Sequence, residues 1–147
     1  MRVTPEPGLV IRYDFLWKDE ARTGREEGAK DRPCAVVLAT RPKDGSREVV
    51  LCPITHTPPR AGETAVEIPY KVARYLQLDS DRMWIKTHEV NTLQWEEGQI
   101  PYGVSRARPD AWAFGILPQA LGRRMFEQVR ENSRRQALGI VARSAAE

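Results

Sequence analysis

Three consecutive segments decide the fold class: Pro33-Cys-Ala-Val-Val-Leu-Ala-Thr40, Arg41-Pro-Lys-Asp-Gly-Ser46 and Glu48-Val-Val-Leu-Cys-Pro-Ile-Thr55. The outer two are short, nearly continuous apolar runs rich in β-branched residues, which is how a strand buried on both faces reads. Between them Asp44-Gly45 supplies the positive-φ chemistry that a hairpin turn requires. Residues 33–55 are therefore expected as an antiparallel hairpin.

Working outward, Gly8 to Phe15 is β-rich, and Thr57-Pro-Pro-Arg-Ala-Gly62 is a stiff loop leading into a strand over Thr64 to Ile68. A short helical turn is expected after Pro69, ending near Leu78, with further strands at Met83-Trp84-Ile85 and between Val104 and Phe114. The period then changes. Pro118 suits the first position of a helix, and Leu121, Met125, Val129, Ala137, Ile140 and Val141 can share one face, with Ser133 interrupting it. Glu131 and Arg135 stand at i,i+4 in the favourable order. The expectation is a single mainly β (α+β) domain over 1–147. It would be a small barrel of bent antiparallel strands over about 7–115, closed by an amphipathic helix over about 118–141.

With 147 residues, 41% hydrophobic and 29% charged, the chain can bury one real core and is not of disordered composition. Its longest apolar run, Cys34 to Ala39, is far short of the roughly 20 residues that cross a bilayer, and Met1 to Gly8 has no signal-peptide character. A soluble cytoplasmic protein with no membrane partner is expected. The net charge of +3 arises wholly after residue 100: 15 Lys+Arg stand against 16 Asp+Glu before it, and 8 against 4 beyond it. That distribution gives only a weak pointer to a polyanionic partner. Cys34 and Cys52 lie in apolar runs without zinc-ligand spacing, and read as buried small hydrophobes, with a bridge between adjacent strands left open.

The segment Leu16 to Arg32 is too long for a hairpin loop. From Lys18 to Arg32 it carries five positive and five negative charges, which suits a mobile lid or specific binding loop, or else a solvated loop, better than a simple phosphate grip. Trp17, flanking it, is the best of four tryptophans for stacking on a base; the others read as core or interface residues.

The order of pieces resembles a known family. Pro7-Gly8 opens a strand ending Tyr13-Asp14-Phe15, and a charged loop with Gly24-Arg25-Glu26-Glu27-Gly28 follows. Then come Arg32-Pro33 with its apolar strand, Val49 to Thr55, Val66-Glu67-Ile68-Pro69, Leu78-Asp79-Ser80-Asp81 and a closing helix. Over roughly residues 7–140 this is similar to the MazF/PemK toxin endoribonucleases of toxin–antitoxin modules. The resemblance implies an SH3-like barrel, a homodimer, a cognate antitoxin, and cleavage of single-stranded RNA such as mRNA with no metal or other cofactor. It also implies catalysis by the arginine before the proline of the second strand and by the threonine ending the third, here Arg32 and Thr55. Trp17, Arg25 and Thr57 are expected to contact RNA. The chain departs from the family in its Gly24-Arg25-Glu26-Glu27 loop, in an extended region over 98–113, and in having His56 directly after Thr55.

Such cleavage has a ribose 2′-hydroxyl attack the adjacent phosphate, and needs a proton acceptor besides charge stabilisation. Arg32 suits the phosphate oxygens but not the proton. His56, or Glu26 or Glu27 from the loop, are the alternatives for the acceptor; as a strand neighbour of Thr55, His56 is also expected to point to the opposite side. His88 has no role assigned. A competing expectation is a non-catalytic barrel of the same fold that binds a nucleic acid or a protein, as gyrase-poisoning toxins resembling CcdB do. Those end in Trp-Gly-Ile, whereas this chain ends Ser144-Ala145-Ala146-Glu147.

Overall fold

The computed structural model describes residues 3–28 and 30–143. The hairpin forms as the sequence dictates. Strand β1 (Leu9–Tyr13) leads through helix α1 (Lys18–Arg22) into β2 (Arg32–Ala39) and β3 (Ser46–Thr55), with Asp44 at φ 56° and Gly45 at φ 77° in the turn. Strand β4 (Ala65–Ile68), helix α2 (Tyr70–Tyr75) and β5 (Met83–Lys86) follow, then β6 (Glu89–Glu96), β7 (Val104–Ser105), β8 (Ala113–Ile116), helix α3 (Gln119–Arg134) and β9 (Gly139–Ala142).

β3 organises the sheet. One edge pairs antiparallel with β2; the other pairs with β6 along Ser46–Leu51 and then, past Cys52, with β5 at Ile54 and Thr55. Leaving one partner for another at Pro53, a residue with no N–H to give, bends the layer there. The main path runs β4-β5-β3-β2-β1-β7, and its end strands do not pair with each other, so the nine-stranded sheet is open. The fold is thus mainly antiparallel β with a few helices.

Both faces of the central strands are buried. Cys52 and Ile54 join Val10, Ile85, Leu121 and Met125 under α2 and α3, while Val49 and Leu51 join Ile11, Tyr13, Phe15 and Trp95 on the other side. This two-sided burial is why β2 and β3 read as continuous apolar runs. It also separates the cysteines: Cys34 and Cys52 are free and belong to opposite faces, so no bridge joins them. Trp84 and Trp95 are buried, as expected for core tryptophans.

The C-terminal segment departs from expectation. The helix does not continue to 141. It stops at Arg134, Gln136 turns the chain at φ 55°, and Gly139–Ala142 forms β9, parallel to β6. A residue with positive φ ends a helix, and the β-branched pair Ile140-Val141 finds a strand partner in Val90 and Asn91 instead of a helix face. Leu121, Met125 and Val129 are buried as the periodicity requires, but the next inward position is Asn132, not Ala137. Glu131 pairs with Arg134 at 2.8 Å rather than with Arg135.

The long segment before β2 is likewise more structured than a free lid. It begins with α1, and its backbone is tied to β6 at two points. Asn91 both accepts from the Leu16 N–H (2.9 Å) and donates to its carbonyl (2.8 Å), and Glu89 accepts from the Lys18 N–H (2.8 Å). Among the described residues no helix is long and apolar enough to cross a membrane.

Candidate active site

Arg32 opens β2 and Thr55 closes β3, and their approach follows from register. Cys34 stands opposite Pro53; continuing the same antiparallel pairing by two residues puts Arg32 across from Thr55, on one face. A cleft of about 400 Å³ opens there. Arg32, Thr55, Trp17, Lys86, His88 and Glu63 line its working part.

The Arg32 guanidinium lies over the Trp17 ring, 5.3 Å from its centroid, and Trp17 is itself braced edge-on by Phe15 at 5.2 Å. Arg32 Nε is buried and has no hydrogen-bond partner among the described residues, and none of their ion pairs involves this side chain. A cation held by an aromatic face, with its donors unspent, is a receptor for an anion. Thr55 is buried, and its Oγ1 accepts from the Thr57 N–H at 3.1 Å. That bond fixes the hydroxyl and leaves its hydrogen for a ligand.

Also in the lining, the buried Lys86 ammonium donates to Glu63 Oε1 at 2.7 Å, and the same oxygen accepts from the Arg60 N–H at 3.0 Å. Those two bonds hold the Glu63 carboxyl below its ordinary range. His88 places Nε2 3.7 Å from Glu63 Oε2 and 3.9 Å from Glu89 Oε2, while its Nδ1 is buried with no hydrogen-bond partner among the described residues. The cleft therefore contains an imidazole whose Nε2 lies beside two carboxylates, its Nδ1 being buried. Asp19, Glu20 and Arg60 complete the charged rim, giving three fixed cations against four carboxylates. The cleft has no broad positive field, so an anion would be held by the unpaired Arg32.

Of the residues singled out from the sequence, the structure brings Arg32, Thr55, Trp17 and Thr57 to this cleft. Arg25 stands outside it, bonded to the lining residue Glu20 at 3.1 Å. The Glu27 carboxylate is taken up by the Tyr102 hydroxyl at 2.8 Å, and Glu26 is exposed with its carbonyl accepting from Arg143. His56 is exposed in the turn after β3 and does not line the cleft. Strand alternation explains this, since the neighbour of an inward Thr55 faces away. Lys86, His88 and Glu63 were missed. The signal was present in Lys86-Thr87-His88, whose outer members stand two apart at a strand end and so share a face. Nothing local says that this face meets Arg32.

Comparison of the chain with family models, with curated proteins and with solved structures gives no match.

Proposed function

We propose that this protein is a metal-independent endoribonuclease acting on single-stranded RNA, a toxin of the MazF/PemK kind. On this reading the open sheet is a version of the SH3-like barrel. The protein works in the cytoplasm as a homodimer, and a cognate antitoxin holds it in check. The observation that supports the reading is a single one: an arginine with no carboxylate partner among the described residues, a buried threonine from a different strand and an imidazole line one cleft.

The chemistry follows from those groups. Arg32 donates paired hydrogen bonds to the non-bridging oxygens of the scissile phosphate, and Thr55 adds a hydroxyl donor as charge builds there. The His88 imidazole accepts the proton of the ribose 2′-hydroxyl at Nε2, since its Nδ1 is buried, as the 2′-oxygen bonds to phosphorus. The bond from phosphorus to the 5′-oxygen breaks, and that oxygen takes a proton from water at the open mouth of the cleft. The products are a 2′,3′-cyclic phosphate and a 5′-hydroxyl. Lys86 adds positive charge beside the phosphate, and Glu63 keeps that ammonium in place.

The test is incubation of the protein with a long single-stranded RNA in EDTA, with end mapping, beside Arg32→Ala and His88→Gln. Discrete cuts with cyclic-phosphate ends, lost in Arg32→Ala, are expected. Folded protein that binds varied RNAs or a protein target without cutting them would replace this reading with a non-catalytic binding protein.

A further inference from the structure

Arg143 sits at the opposite end of the chain from the cleft residues, yet it is almost wholly buried against the segment that carries Trp17. Its side chain is 6% exposed. One terminal nitrogen donates to the Asp14 carbonyl and to Asn91 Oδ1 (3.0 Å); the other donates to Asp14 Oδ2 (3.2 Å) and to the Glu26 carbonyl (3.1 Å). The guanidinium also covers the Tyr13 ring, 5.2 Å from its centroid. Its own backbone N–H is fixed on the Thr92 carbonyl at 2.8 Å, where the chain leaves β9.

The partners of Arg143 are what matters. Asn91 passes the grip to both backbone groups of Leu16, the residue before Trp17. Asp14 precedes the segment and Glu26 lies in it beyond α1, so one planar fork ties the chain on both sides of Trp17 and α1 to the edge formed by β6 and β9. Trp17, carried between those anchors, is the surface on which the Arg32 guanidinium rests.

We propose that Arg143 is a positioning residue for Arg32: by holding Asp14, Asn91 and the Glu26 carbonyl together, it keeps Trp17 beneath the Arg32 guanidinium. The proposal deepens the ribonuclease reading, because it names what orients that reading's phosphate-binding arginine. A lysine cannot replace it, since an ammonium is a point donor and these acceptors need a flat fork.

The experiment reads Arg32 directly. In the nitrogen-15 spectrum of the full chain, the Arg32 Nε–H signal is assigned by its loss in Arg32→Lys, and the Trp17 ring-current displacement by its loss in Trp17→Leu. Two variants are compared, Arg143→Lys and the double variant Arg143→Met with Asp14→Asn, which leaves no buried carboxylate unpaired. Both are expected to move the Arg32 signal toward its position in Trp17→Leu. Amides of residues 16–28 should exchange about 10-fold faster while those of Val90 and Leu93 stay protected. RNA cleavage should lose about 10- to 100-fold in kcat with KM within about 3-fold, the pattern of a misplaced group.

An Arg32 signal at its wild-type position in either folded variant overturns the proposal, as does a displaced signal with unchanged kcat. Should the double variant fail to fold, Arg143→Lys decides by the same criteria. If the wild-type protein cuts no RNA, the ribonuclease reading fails, while the Arg32 signal still decides whether Arg143 positions it.

Discussion

Substituting Glu63 by glutamine tests the electrostatics of the cleft without touching its shape. The Lys86 side chain is 5% exposed and that of Glu63 26%, with 2.7 Å between charged atoms. Removing one partner of a fully buried pair costs about 3–5 kcal/mol, and an exposed pair contributes about 0–1 kcal/mol. Glu63 lies between those limits, and an amide oxygen can still accept from the Arg60 N–H. The expected loss for Glu63→Gln is therefore about 2 kcal/mol at pH 7, which for a chain of this size lowers Tm by about 4–8 °C. Glu67→Gln provides the control. Its pair with Arg82 spans 3.1 Å, but the two side chains are 50% and 70% exposed, so it should cost no more than about 0.5 kcal/mol.

The pH dependence has a definite sign. The native Glu63 carboxyl titrates below its ordinary value of 4.5, held there by the Arg60 N–H and then by Lys86. A lowered native pKa means that its stabilisation is complete above the unfolded value and disappears as pH falls through the native one. The gap between wild type and Glu63→Gln should thus be flat from about pH 6 to 8 and shrink below about pH 4.5. Urea titrations across that range measure it. Equal losses in Glu63→Gln and Glu67→Gln at pH 7, or a gap that widens in acid, would refute the argument.

Three further outcomes are expected. Met125→Ala empties a site that is 1% exposed beneath α3 and should lose about 2–5 kcal/mol in urea unfolding. Gly28→Ala would set a Cβ 2.2 Å from the Phe15 carbonyl oxygen and should cost about 1–3 kcal/mol, whereas Gly122→Ala, with open space around it in α3, should gain about 0.5–1 kcal/mol by raising helix propensity. His88→Gln should slow RNA cleavage by about 100-fold or more while RNA affinity, measured by filter binding, stays within about 3-fold; a wild-type rate would remove His88 from the mechanism.

Much of the fold was legible because local chemistry and tertiary outcome agree. The β2–β3 hairpin needed only two apolar runs and Asp44-Gly45, and α2 and the first part of α3 followed from Pro69, Pro118 and the spacing of Leu121, Met125 and Val129. Elements were misread where the partner decides. β6 was not recognised: its first half mixes polar and apolar residues, with Asn91 fully buried to serve Leu16 and Arg143, and only Leu93-Gln94-Trp95-Glu96 alternates as a strand does. Residues 139–142 carry a pattern that helix and strand share, and β6 makes them a strand.

The same division runs through the site. By itself the sequence determined the hairpin and the chemistry available at Arg32 and Thr55, but their opposition needs the one-residue register shift between Val36 and Leu38, which the turn alone does not set. Only the tertiary structure decided the rest. It brought Lys86 from β5, His88 from the turn after it and Glu63 from the loop before β4 to the cleft that Arg32 and Thr55 line, and set Trp17 under Arg32. Those approaches depend on where the sheet bends and which edge stays open. Such long-range geometry arises from burying two cores at once, and no short stretch of the chain encodes it.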